Sequence, residues 1–219
     1  MMKVQRRFIV TLGSTAAVAL LTGLPVGALA VDLTGVWQAT SPRSAGGANR
    51  PPLTAQAQAD LDAYDALDDP VIRCVPPGFP RSGLIIYPFQ IVQTDELILF
   101  LYETFGMVRR IYMDGREAPA YLPAERSGYS TGHWDGKDLV VQTTNVASGL
   151  LNGGGVFQYG DVEVVERYRL ANDGDVLEAD VTITAPQTLQ GPWSRSFTWE
   201  LDREGMIFEW GCDPSDSRF

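Results

Sequence analysis

Glu166 stands in the stretch VEVVERYRL, where Val162, Val164, Tyr168 and Leu170 share its side of a two-residue repeat and Glu163, Arg167 and Arg169 fall mainly on the other. A carboxylate among apolar neighbours must be ion-paired, hydrogen-bonded or protonated, because burying it bare costs several kcal/mol. Arg110 is the candidate partner, since it shares an alternating face with Val108 and Tyr112 in MVRRIYM. Two readings follow. Glu166 and Arg110 form a structural pair inside a sheet, or Glu166, Arg110 and Tyr112 carry acid–base chemistry without metal or cofactor. An isomerase, dehydratase or cyclase acting on an apolar substrate would need nothing more. Glu103 raises a similar question, because it continues the Leu97, Leu99, Leu101 face towards Phe105.

The single histidine, His133, lies in STGHWDGKDLVVQTTNV. Asp135-Gly136 read as a hairpin turn, which leaves Trp134 on the buried side and His133 on the solvent side, with no orienting partner. Asp114 and Arg116 flank Gly115 and read as turn residues. One histidine and two distant cysteines do not make a zinc site, so no metal is expected. There is no Gly-x-Ser-x-Gly elbow and no phosphate-cradling loop between strand and helix.

Short strands must position these residues. LTGVWQAT reads as a first strand, and a Pro/Gly/Ser-rich stretch follows it. One helix comes next, with Thr54 as N-cap and Ala57, Leu61 and Tyr64 at helical spacing. Asp60, Asp62 and Asp65 lie off that face and lack the glycine and closing glutamate of a calcium loop. From about residue 84 the pattern is one of strands joined by short turns. Leu177, Ala179, Val181 and Ile183 share one face; Phe197, Trp199 and Leu201 share another; Met206, Phe208, Trp210 and Cys212 line a last strand. LILFLY is apolar on both faces and should lie beneath the helix or the long N-terminal loop. NGGGVF reads as a flexible loop that could cover a mouth. About ten strands in an antiparallel meander are expected, and closing them into a barrel removes the exposed edges.

The opening thirty residues read as a secretory signal. Lys3, Arg6 and Arg7 precede an apolar run, and Ala28–Ala30 form a small-x-small cleavage site. RRFIV lacks the spacing of a twin-arginine motif, which favours the general secretory route. Cleavage after Ala30 would leave residues 31–219 as one barrel domain, periplasmic or secreted, with no stable membrane span. It would also move the formal net charge from −10 to −13, since three basic and no acidic residues lie in that segment. Such a balance disfavours nucleic acid as a partner. In an oxidising compartment Cys74 and Cys212 are expected to pair, with two separate buried thiols as the alternative.

Two resemblances bear on this. Gly35-x-Trp37 on the first strand of an exported β chain resembles the Gly-x-Trp signature of lipocalins, and implies a lipocalin-like barrel that encloses a small hydrophobic molecule. The segments RCVPPGFPR, YPFQIVQT, RRIYMDGR, GHWDGKDLVV, ERYRL and PWSRSF resemble, over nearly the whole chain after the signal, a family of exported bacterial hypothetical proteins. Members of that family often carry histidine where Tyr129 stands here. The expectation is therefore an all-β, lipocalin-like barrel of about ten strands with one short N-terminal helix. Tyr87, Phe89, Glu103, Trp134, Tyr168, Phe197, Trp199, Phe208 and Trp210 are the candidates to line its ligand site. Beside hydrophobic-ligand binding stand the cofactor-free enzyme and an envelope interaction protein using an exposed edge or apolar patch.

Overall fold

A computed structural model describes residues 31–39, 50–84 and 87–213, and the expected signal segment lies outside them. Eleven strands are present among these residues: β1 Gly35–Ala39, β2 Phe89–Gln93, β3 Leu97–Tyr102, β4 Val108–Tyr112, β5 Tyr129–Asp135, β6 Asp138–Thr144, β7 Gly149–Leu150, β8 Phe157–Gln158, β9 Glu163–Ala171, β10 Val176–Thr184 and β11 Trp193–Asp202. Nine of them close a barrel in the order β1-β11-β10-β9-β6-β5-β4-β3-β2, and β7 and β8 form a separate hairpin.

The expected all-β barrel is present, with two differences in detail. The sheet is mixed, because β4 and β5 run parallel through Ile111–Ser130 and Tyr112–Thr131. Parallel neighbours need a crossover, here residues 113–128, where antiparallel ones need only a tight turn. The last expected strand is also missing: residues 203–213 leave the barrel as an irregular tail. The reason is closure. β11 already pairs with β10 on one side and β1 on the other, so no edge remains for Met206–Cys212.

Alternation places the core. Ile98, Phe100 and Tyr102 point inward from β3, Leu139, Val141 and Thr143 from β6, and Leu177, Ala179, Val181 and Ile183 from β10, all of them buried. Burying each of the larger aliphatic chains contributes about 1.5–3 kcal/mol, which opposes the entropy of ordering the strands. Leu97, Leu99 and Leu101 face outward and are half-buried. The helix does not cover them; α1, Ala55–Asp62, packs chiefly against β8.

One barrel end is capped. Residues 50–84 cross it between β1 and β2. They are fastened by the Leu53–Leu189 bridge, by the Thr54 N–H on Thr188 O at 2.9 Å, and by the Tyr159 hydroxyl on Asp60. Thr54 caps α1 as its sequence predicts, accepting from the Ala57 N–H at 3.2 Å. The β7–β8 hairpin, which contains the NGGGVF stretch, lies at the same end. There the side-chain Oδ1 of Asn152 accepts the Gly154 N–H at 2.9 Å, which closes the turn. Among the described residues no helix is long and apolar enough to cross a membrane.

Candidate functional site

Glu166 projects from β9 into the barrel and is 1% exposed. Its partner is Arg109, not Arg110. The Arg109 guanidinium donates to both carboxylate oxygens, with Nη1 on Oε1 at 3.0 Å and Nη2 on Oε2. The Tyr168 hydroxyl donates to Oε1 at 2.6 Å. Arg109 also donates from Nε to Ser130 Oγ at 3.0 Å and from Nη2 to Thr143 Oγ1 at 2.7 Å, and the two hydroxyls lie 2.9 Å apart.

Four strands assemble this centre. Arg109 sits opposite Phe100 of β3, Ser130 of β5 opposite Thr143 of β6, and Glu166 of β9 opposite Val141 of β6. Arg110 takes the opposite face and is exposed. Tyr112 also turns outward, stacked on Tyr129 with ring centroids 5.1 Å apart and covered by Arg116 at 4.5 Å. Arg110 and Tyr112 therefore line a crevice on the outer wall and do not meet Glu166.

Electrostatics follow from the geometry. Burial works against the Arg109 cation, but the charge and hydrogen bonds of Glu166 outweigh it and hold its pKa above the ordinary value. Burial pushes the Tyr102 hydroxyl up to about 12, opposed by the charge of Arg109 and reinforced by that of Glu166. Burial, then the Glu166 charge, holds Tyr168 well above the usual tyrosine value. The result is a neutralised pair in which both carboxylate oxygens are engaged. Arg109 and Tyr168 take three of the four lone-pair positions of this carboxylate, and the ion pair lowers its basicity, which suits a structural acceptor better than a general base.

Phe79 closes the centre from above. Its ring centroid is 4.0 Å from the Arg109 guanidinium carbon, it is 1% exposed, and its N–H donates to Arg126 O at 2.7 Å. Burial strengthens such a cation–π contact. Nothing in RCVPPGFPR alone marks this phenylalanine as a stopper. Its role depends on where the 50–84 segment crosses the barrel.

Other candidates divide between inside and outside. Phe89, Tyr168, Phe197 and Trp199 are buried, and their rings pack on one another and on Phe100 at 5.3–6.5 Å between centroids. Trp134 is half-buried against the core, and His133 is exposed on a surface groove with Tyr129, Thr131 and Gln142. Tyr87, Glu103, Phe208 and Trp210 lie outside the barrel and mark the path of the tail. Glu103 accepts the Phe208 N–H at 3.0 Å, and Trp210 packs between Tyr87 and Phe105 at 5.4 Å from each ring. Cys212 in the tail forms the expected disulfide with Cys74, and their Cα atoms are 5.7 Å apart.

A cleft of about 240 Å³ opens at the capped end, between residues 69–81 and the β7–β8 hairpin. Val71, Val75, Pro76, Pro77, Leu150 and Phe157 give it apolar walls, and Asp69, Arg81, Arg126 and Gln158 supply polar groups. Arg81 holds Asp69 with two hydrogen bonds at 3.0 and 2.8 Å. Burial opposes the Asp69 anion, yet those bonds and the Val71 N–H keep its pKa below the usual carboxylate value. The cleft is smaller than the outer-wall grooves but more enclosed than either. Gly78 and Arg81, on either side of Phe79 in sequence, both line it. No protein-family model matches this chain, and no curated protein matches it.

Proposed function

We propose that the chain is an exported binding protein that holds a small hydrophobic molecule at the capped end of its barrel. The cleft beside Phe79 is the observation that carries this reading. Its apolar walls come from two separate segments, it is concave, and a few polar groups converge on it, which is how small-molecule sites are commonly built. Its volume is a little under the roughly 300 Å³ at which typical pockets begin, so its ligand is small. The basic and apolar opening segment, the Ala28–Ala30 cleavage pattern and the Cys74–Cys212 disulfide support export.

The packed rings inside the barrel favour the mouth over the interior as the place of binding. The engaged Glu166 carboxylate likewise favours binding over turnover. The test uses the full chain and N-phenyl-1-naphthylamine, an uncharged probe that fluoresces in apolar surroundings. Gly149 lines the cleft, and a Cβ added there meets nothing within 4 Å, so Gly149→Phe adds bulk at the cleft wall. Uptake by the wild type and its loss in Gly149→Phe, at an unchanged melting temperature, is the expected result. No uptake, or equal uptake by both, would overturn the reading.

A further inference from the structure

We infer that the molecule held in this cleft carries an anionic head, a carboxylate, received by Arg126; the inference rests on the cleft reading above. Three cations and anions reach the cleft, and two of them cancel. Arg81 and Asp69 neutralise each other through a bidentate pair at 2.8 Å. Arg126 makes no ion pair among the described residues. Its one side-chain hydrogen bond among the described residues is a long one, from Nη1 to the carbonyl of Pro76 at 3.4 Å. Pro76 is itself part of the cleft wall, so the guanidinium is held at the rim with most of its N–H groups uncommitted. The local charge is thus one positive unit beside Val75, Pro77, Leu150 and Phe157, in a chain whose formal net charge is −10.

This arrangement selects for one class of ligand. A cationic head would be repelled, and a neutral head would gain nothing from the charge of this exposed guanidinium. A carboxylate matches the planar fork of arginine and can accept two parallel hydrogen bonds from it. The apolar walls take the tail. The ligand class is therefore a short amphipathic acid, small enough for a cleft of about 240 Å³.

The experiment displaces bound N-phenyl-1-naphthylamine from the full chain with decanoate or with decanol, which differ at the head alone. Decanoate is expected to compete at a concentration about tenfold or more below decanol, the scale of one charge-assisted contact. Arg126→Gln should raise the decanoate concentration to that of decanol, both read relative to the variant's own probe affinity. Added salt should narrow the wild-type gap. Equal competition by acid and alcohol, an acid preference that survives Arg126→Gln, or failure of both to displace a bound probe overturns the anionic-head inference and leaves the cleft reading standing. Failure of the probe itself to bind, or binding unaffected by Gly149→Phe, removes the cleft reading, and the inference with it.

Discussion

Arg109 and Glu166 are 2% and 1% exposed, and a charge pair at that depth owes its tolerance to completeness. Each oxygen and most guanidinium N–H groups have partners, so the desolvation cost is offset within the cluster. Removing one partner leaves the other charge bare. Glu166→Gln or Arg109→Met is expected to lower unfolding free energy by about 3–5 kcal/mol, read from urea denaturation. The triple replacement Arg109→Met, Glu166→Leu, Tyr168→Phe removes both charges and the Tyr168 hydroxyl that donates to Glu166, while Ser130 and Thr143 keep their mutual bond. It should recover most of that loss, and a triple variant as unstable as the singles would refute the account. The two tyrosines give a second test. Their folded pKa values lie above the unfolded value of about 10, so the neutral form is favoured by folding. Their contribution is fully present below pH ~10 and fades as pH rises through 10 towards the folded values, by up to about 1.4 kcal/mol per pH unit for each group. Stability should therefore fall steeply above pH ~10, and the tyrosinate absorbance of this pair should emerge only with the loss of near-UV circular dichroism. Tyr102→Phe should flatten that fall. Absorbance rising before unfolding would show that these hydroxyls reach solvent.

At the level of elements, the β4–β5 junction is the unusual feature. Only two residue pairs join the strands, and residues 125–128 line the crevice where they diverge. That segment is fixed by the Glu125–Val146 bridge and by a sharp turn at Gly128. Gly128 has φ +64°, and a Cβ there would lie 2.8 Å from Thr143 Cγ2, Thr144 O and Val146 Cγ2. Gly136, at the β5–β6 turn, has φ +65° with nothing within 4 Å. The two positions share a backbone conformation and differ in space, which makes them a matched pair. Gly136→Ala should cost about 1 kcal/mol from the left-handed conformation alone. Gly128→Ala should cost clearly more, about 2–3 kcal/mol, since backbone must also move. Equal costs in thermal denaturation would mean that the 125–128 segment is not packed against β6.

For the molecule as a whole, the tail and the cap are one assembly. After β11 the chain passes Glu103, Phe105 and Tyr87 and is bonded through Cys212 to Cys74, which stands between α1 and Phe79 in the capping segment. The disulfide closes a loop of 138 residues that contains nearly the entire barrel. The chain-entropy relation values such a loop at about 5 kcal/mol, and removal of a native disulfide commonly costs about 2–5 kcal/mol. Reduction, or the Cys74→Ala/Cys212→Ala double variant, should lower the urea midpoint accordingly and change the fluorescence of Trp210. A variant as stable as the parent would show that the tail and cap hold without the bond.

Several features were legible from sequence because they depend on composition and local chemistry. The Thr54 cap, the Asp135-Gly136 turn, the exposure of His133 and the inward face of Glu166 each follow from neighbours within a few residues. So did the all-β class, since alternation is a property of single strands. The partner of Glu166 was not legible. Around β4, Met107, Arg109, Ile111 and Met113 alternate with Val108, Arg110 and Tyr112, so each face carries one arginine among apolar residues. Period two cannot choose between them, and a shift of one residue exchanges the faces. The register with β3, which sets Arg109 beside Phe100, and the parallel contact with β5 made that choice. Likewise Met206–Cys212 has the pattern of a strand, but a strand needs a free edge, and the closed ring of nine strands leaves none. Pattern determines what a segment can do beside a neighbour; which neighbours exist is decided by the fold, because hydrogen-bonding edges are shared across the whole chain.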